Sequence, residues 1–208
     1  MIEVEVMFTG IIQQVGVIKE INHSQDNSIE IKVDCKGFNE SSQLGESISI
    51  DGICLTVDKI SKDSLTFVAI SETVDKTKIR TKQVGSQVNV ERAASMQDLV
   101  GGHPTTGHID STGTVIDKRI SDNWEVLRVE VPSTFSNLMV KKGSISIDGV
   151  SLTISDLSSG RETWFEVSLI PATLTHTTLK QLQVGDLVNV EFDQVGKYIA
   201  KNLQMQNE

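Results

Sequence analysis

Cysteine is scarce in this chain: 208 residues contain only Cys35 and Cys54. Two cysteines cannot build a disulfide framework at this length, so a reducing compartment is expected. Proline and glycine, at 3 and 15 residues, are not enriched, which argues against a disordered or low-complexity chain. Long apolar runs are missing, and no stretch approaches the roughly 20 residues of a membrane-spanning helix. Basic residues are in deficit, 19 against 28 acidic ones, for a net charge of -9. That balance disfavours nucleic acid, whose phosphates need a basic footprint, and disfavours an anionic membrane surface. The opening MIEVEV is acidic and lacks the apolar length of a signal peptide. A soluble cytoplasmic protein is therefore expected, and the glycosylation-like triplets at Asn22 and Asn39 are taken as chance. The chain also lacks a phosphate-binding loop, a dinucleotide fingerprint and a GxSxG serine elbow.

What the chain does have is itself, twice. SISIDGICLTV (47–57) and SISIDGVSLTI (144–154) share eight of eleven residues, where chance gives about one. The same offset lays Phe8-Thr9-Gly10-Ile11-Ile12 on Thr105-Thr106-Gly107-His108-Ile109, and Gly16 on Gly113. A slightly larger offset aligns 70–91 with 170–191, both ending in VGxxVNVE. The extra residues fit a longer second-copy hairpin around Ser158-Ser159-Gly160. Two copies of about 95 residues follow, with a boundary near residue 97.

Within each copy, strand signals dominate. Ser47 to Val57 alternates, is rich in β-branched residues, and is broken by Asp51-Gly52, a hairpin-forming dipeptide. Ser64–Ile70 and Gln87–Arg92 read as strands, as do Ser144–Ile147, Ser151–Ser155, Thr163–Ile170 and Leu187–Phe192. Short strands at regular spacing with glycine turns predict an all-β antiparallel barrel in each copy. One short helix is expected near 73–81 and another near 173–181. In the tail, Val195, Ile199 and Leu203 fall four apart, one apolar helical stripe that fits either a helix packed on its own barrel or an oligomer contact.

A duplicated domain keeps its core and turns for stability, so differences in reactive groups between copies are the informative positions. Cys54 becomes Ser151, each just after a glycine turn and two residues before a threonine, Thr56 or Thr153. A buried apolar cysteine is the plain alternative, but serine is a poor apolar filler. Gly101-Gly102-His103-Pro104-Thr105-Thr106-Gly107-His108 places two histidines five apart. Zinc needs three or four suitably spaced ligands and is not expected here. A proton-moving histidine fits better, with a structural hydrogen bond an equal reading for His103.

MFTGI (7–11), DGICLTV (51–57), SETVDKT (71–77), VNVERA (88–93), GGHPTTGHID (101–110), DGVSLTI (148–154), LIPATLTHTTL (169–179) and VGDLVNVEFD (184–193) together resemble the riboflavin synthase family. The resemblance runs from Met7 to about Tyr198. It implies two tandem six-stranded Greek-key barrels with short helices: a lumazine-binding barrel over 1–97, a second over 98–194, and a C-terminal helix over 195–208. It implies dismutation of two 6,7-dimethyl-8-ribityllumazine molecules, without metal or redox cofactor, in a homotrimer whose sites form between neighbouring subunits. Lumazine synthase is the protein partner it suggests. Carried over by motif, Cys54, His108, Ser151, Thr153 and Asp193 are the expected catalytic residues. Gly10, Ile11, Thr56, Thr73, Gly107, Ile109, Ile170 and Thr173 are expected to bind substrate. The roles of base and nucleophile stay open between His108, Cys54, Ser151 and water. A non-catalytic lumazine- or flavin-binding antenna protein of the same fold is the alternative. The chain departs from the family pattern at Lys78, where asparagine is common, at Ala172, where glutamate is frequent, and at Pro104-Thr105, where larger apolar residues are usual.

Overall fold

The computed structural model describes residues 7–95, 97–158 and 162–206. They form two closed antiparallel barrels of six strands each. The first contains β1 (Gln14–His23), β2 (Ile29–Asp34), β3 (Ser47–Ile50), β4 (Ile53–Ile60), β5 (Ser64–Ala69) and β6 (Gln87–Arg92). It closes in the order β1-β2-β5-β4-β3-β6. The second contains β7 (Ser111–Ile120), β8 (Glu125–Glu130), β9 (Ser144–Ile147), β10 (Val150–Leu157), β11 (Trp164–Leu169) and β12 (Leu187–Phe192), closed in the corresponding order.

The copies match down to their irregularities. The β1–β2 ladder slips between Ile18 and Glu20, and the β7–β8 ladder slips between Val115 and Asp117. β4 slips between Val57 and Lys59, and β10 between Ile154 and Asp156. Each pair sits at the same place in the repeat, as expected of bulges that bend a sheet enough to close it. Alternate side chains fill the interiors. Ile31, Val33, Leu65 and Phe67 are sealed in the first barrel, and Leu127, Val129, Phe165 and Val167 in the second. Closure leaves no free sheet edge in either barrel.

Three α-helices accompany the barrels among the described residues. α1 (Ser71–Lys76) and α2 (Pro171–His176) are each followed by a separate 3₁₀ turn, Lys78–Thr81 and Thr178–Gln181. The single helices expected over 73–81 and 173–181 are therefore each two pieces. Thr77 and Thr177 break them, because each adopts an extended backbone, donates its hydroxyl to the carbonyl of Thr73 or Thr173, and accepts the N–H of Ile79 or Leu179. α3 (Gln194–Gln206) is held at its first turn, where Lys197 Nζ lies 2.7 Å from Asp110 and Gly196 abuts the Leu138 carbonyl. Its stripe of Val195, Ile199 and Leu203 is exposed. Of the longer second-copy hairpin, Ser159 and Gly160 lie outside the described residues; β10 ends at Leu157 and β11 begins at Trp164.

The barrels meet through reciprocal hydrogen bonds. Both Asp-Gly turns have positive φ at each residue, Asp51 48° and Gly52 82°, Asp148 50° and Gly149 81°. That is the twist a two-residue hairpin demands. The turns abut so closely that a Cβ on Gly52 would sit 2.6 Å from the Gly149 nitrogen. Asn89 Nδ2 donates to the Asp148 carbonyl and Asn189 Nδ2 donates to the Asp51 carbonyl, both at 2.9 Å. Asn89 Oδ1 accepts the N–H of Thr178 at 2.8 Å, and Asn189 Oδ1 accepts that of Lys78 at 2.7 Å. Both asparagines are fully buried, so truncation strands several polar groups at once. Asn189→Ala should lower stability by about 2–4 kcal/mol, read as a lower urea midpoint with an unchanged slope. Asn89→Ala should cost a similar amount.

Candidate active site

The threonine–glycine pairs at the start of each copy organise the site. Thr9 gives its N–H and hydroxyl to Glu91 Oε1, both at 2.7 Å, and Gly10 gives its N–H to Oε2 at 3.0 Å. Thr106 and Gly107 repeat this on Glu191, at 2.7, 2.8 and 3.0 Å. Each pair is thereby latched to its own barrel and then reaches across. The Gly10 carbonyl accepts the N–H of Ser151 at 2.8 Å, and the Gly107 carbonyl accepts that of Cys54 at 2.9 Å. Phe8 and Thr105 join the two crossing segments by a mutual pair of backbone bonds. Glycine is required at both crossings. φ is +73° at Gly10 and +76° at Gly107, and a Cβ would fall 2.5 Å from Ser151 Cβ or 2.6 Å from Cys54 Cβ.

Every site is therefore composite. The first is a cleft of about 450 Å³ whose walls include Cys54, Thr73 and Thr77 from the first barrel and Gly107, His108 and Ile109 from the second copy. A salt bridge of 2.6 Å between Glu72 and Lys76, both cleft residues, lies on α1. Cys54 is half-buried; burial raises its thiol pKa, against a hydrogen bond with Ser47, so the group is a neutral thiol near pH 7. Thr56 lies two residues on, exposed on the same outer face of β4.

The second site presents Ser151 where the first presents Cys54, with Gly10 and Ile11 across from it. Ile170 and Thr173 stand at the α2 positions that Ile70 and Thr73 hold in the first cleft. Thr153 is exposed on the outer face of β10. This site has a feature the first does not show among the described residues. The linker Gly101-Gly102-His103 folds over it, and His103 Nδ1 lies 2.7 Å from Ser151 Oγ. Gly102 packs so tightly that a Cβ there would reach 2.9 Å from Ser151 Oγ. His103 is buried, and its Nε2 meets no protein partner among the described residues. Burial lowers its pKa below the usual histidine value, opposed by the nearby Asp193 carboxylate, so the ring is neutral at pH 7. Asp193 itself accepts the N–H of Val195 at the start of α3.

Of the expected site residues, the fold brings Cys54, Thr73, Gly107, His108 and Ile109 together in one cleft, with Thr56 beside Cys54 on β4. Gly10, Ile11 and Asp193 come near Ser151 and His103, with Thr153 on the same strand face. His103, which the sequence left between a catalytic and a structural role, touches Ser151 directly. The signal was the glycine directly before it, Gly102, where a Cβ would fall 2.8 Å from Ser151 Cβ.

The lumazine binding domain matches the chain twice, over residues 9–93 and 106–193. The chain is 38% identical over 196 residues to riboflavin synthase of Mycobacterium tuberculosis (strain ATCC 25618 / H37Rv), covering 94% of this chain and 97% of that one. The chain belongs to the riboflavin synthase family. Riboflavin synthase of Bacillus subtilis (strain 168) is 36% identical over 202 residues, covering 97% and 92% of the two chains. Among solved structures, LumP complexed with riboflavin superposes with a TM-score of 0.82 at 28% identity, covering 90% of this chain and all of that one. LumP complexed with 6,7-dimethyl-8-(1'-D-ribityl) lumazine gives 0.78 at 28% identity, covering 88% and 98%. As a riboflavin synthase family member the chain is an enzyme built from two lumazine-binding barrels.

The raised thiol pKa generates a test. Iodoacetamide should modify Cys54 more slowly than free cysteine at pH 7.5, with the rate still climbing above pH 9. A rapid burst at neutral pH, followed by mass spectrometry, would contradict the neutral-thiol assignment.

Proposed function

We propose that the chain dismutates two molecules of 6,7-dimethyl-8-ribityllumazine, passing a four-carbon unit from one to the other. The products are riboflavin and 5-amino-6-ribitylaminouracil, and the atoms balance without an oxidant or reductant. The observation that carries this reading is the pair of like, composite crossings, Gly107 onto Cys54 and Gly10 onto Ser151, whose reactive groups differ. Two identical substrates must meet in one geometry and play unlike roles. Two similar sites supply the geometry, and holding both rings oriented removes much of the entropy cost of a bimolecular step. The differences supply the roles: a neutral thiol and His108 beside one ring, a hydroxyl with a neutral imidazole beside the other.

In this reading Ser151, or a water it orients, adds at C7 of one lumazine while His103 receives the proton. Asp193 stabilises the imidazolium that results. Conjugation already acidifies the 7-methyl group of the other lumazine, so a base near His108 need only complete its deprotonation. Thr56, Thr73, Ile109, Ile170 and Thr173, with the backbone at Gly10, Ile11 and Gly107, hold the rings, and Thr153 sits beside Ser151. Residues 1–97 and 98–194 form the two lumazine-binding units. The exposed face of α3 supports residues 195–208 as the contact of a homotrimer, with catalytic sites completed between neighbours. Cytoplasmic location and a lumazine synthase partner complete the proposal.

Mixing the purified protein with 6,7-dimethyl-8-ribityllumazine should produce riboflavin absorption. Tight, fluorescent binding without turnover would support an antenna protein instead. Cys54→Ser should keep kcat within about tenfold if orientation supplies most of the acceleration; complete loss with the fold intact would refute that. The lowered His103 pKa sets an acid limit. The neutral base is present above its folded pKa and lost as pH falls through it, so kcat/KM should decline at a more acidic pH than an ordinary histidine would dictate. His103→Gln should remove that acid limb.

A further inference from the structure

Between the barrels lies a charge cluster that the reaction does not use. The carboxylates of Asp51 and Asp148 are sealed from solvent at 2% and 0% exposure, each on the left-handed first residue of its turn. Each commits one oxygen to its own barrel: Asp51 Oδ1 accepts the Asn89 N–H at 2.7 Å, and Asp148 Oδ1 accepts the Asn189 N–H at 2.8 Å. The other oxygens face ammonium groups. Lys78 Nζ lies 2.5 Å from Asp148 Oδ2 and 3.3 Å from Asp51 Oδ2, and Lys82 Nζ lies 2.7 Å from Asp51 Oδ2.

The hydrogen bonds around this cluster are symmetric; the charges are not. Both carboxylates recur in the repeat, but the counterparts of Lys78 and Lys82 are Thr178 and Leu182. Among the described residues, one barrel therefore supplies all the positive charge for a seam to which both contribute an anion. Among the described residues, Lys78 is the only cation within ion-pair distance of Asp148. It also spans the seam, since it belongs to the first barrel and Asp148 to the second. Lys78 follows Thr77 of the first cleft. Asp51 and Asp148 precede Cys54 and Ser151 by three residues each.

We propose that Lys78 is a positioning residue: its ammonium, shared between Asp51 and Asp148, fixes how the two barrels seat against each other and so how β4 and β10 present Cys54 and Ser151. A buried carboxylate that loses its cation is strongly destabilising unless it takes up a proton. The charged groups facing the cluster are Asp51, Asp148 and Lys82, with Asn89 and Asn189 contributing neutral contacts from β6 and β12. Burial opposes the charge on Lys78, but the two aspartates outweigh it and raise its pKa, so the intact clamp stays charged at neutral and alkaline pH.

The test compares the full-length chain with Lys78→Met and with Lys78→Met/Asp148→Asn, by calorimetry between pH 5 and pH 8. Burial already holds the Asp148 carboxyl above the usual aspartate range against the pull of Lys78, and without Lys78 it rises further. Its favourable protonation is present at low pH and lost as pH rises through that folded pKa. Lys78→Met should therefore lower the melting midpoint by about 10 °C at pH 8 and by much less at pH 5. The double variant should regain most of the midpoint and show no such pH dependence. Turnover of dimethylribityllumazine by Lys78→Met, relative to wild type, should recover over the same pH window. An unchanged midpoint, an equal loss at both pH values, or no rescue by Asp148→Asn would overturn the proposal. If Lys78→Met fails to fold at pH 8, a folded double variant supports the clamp and an unfolded one refutes it. Calorimetry needs no turnover, so a failed clamp and a failed assignment of the reaction are distinguishable.

Discussion

Neither barrel completes its own polar interior at the seam. Asn89 of one barrel satisfies a turn carbonyl of the other, Asn189 returns the bond, and each asparagine oxygen receives the N–H that opens its neighbour's 3₁₀ turn. An unpaired buried amide or carbonyl costs more than the net gain of a typical hydrogen bond. The reciprocal set is therefore specific: a shift of one barrel against the other would strand several groups at once. The positions of both clefts follow from it, because the Asp-Gly turns in this seam lead directly into the strands that carry Cys54 and Ser151.

The crossing of the two Thr-Gly segments follows from the same geometry. Each is fixed to its own barrel by a glutamate, and each lays its glycine carbonyl on the other barrel's strand. Residues far apart in the chain, such as Cys54 and His108, meet because the second copy reaches back. Duplication thus produced two sites that depend on each other, and neither copy holds a whole cleft.

Within that symmetric frame, function is carried by departures from symmetry. Cys54 corresponds to Ser151, Glu72 and Lys76 correspond to Ala172 and His176, and Lys78 corresponds to Thr178. His103 joins Ser151 from the linker between copies. A dismutation asks for this combination of like shape and unlike chemistry, since the same molecule acts as donor in one place and acceptor in the other.

Much of this was legible in the residues. The repeat, the Asp-Gly turns, the strands at Ser47–Ile50, Gln87–Arg92 and Leu187–Phe192, and the exchange of Cys54 for Ser151 are local patterns, set by alternation and by the few residues that tolerate a left-handed turn. β1 and β7 were harder to read, because a bulge in each shifts the phase of its alternation, whereas β2 and β8 alternate regularly between buried and more exposed positions. The helices split at Thr77 and Thr177 through side-chain bonds that propensity does not register. Only tertiary structure could decide that His103 meets Ser151, that His108 joins Cys54, and that Lys78 lies between two buried aspartates. Those contacts span up to about a third of the chain, and their energies depend on burial and neighbouring charge, which exist only once the barrels have closed and met.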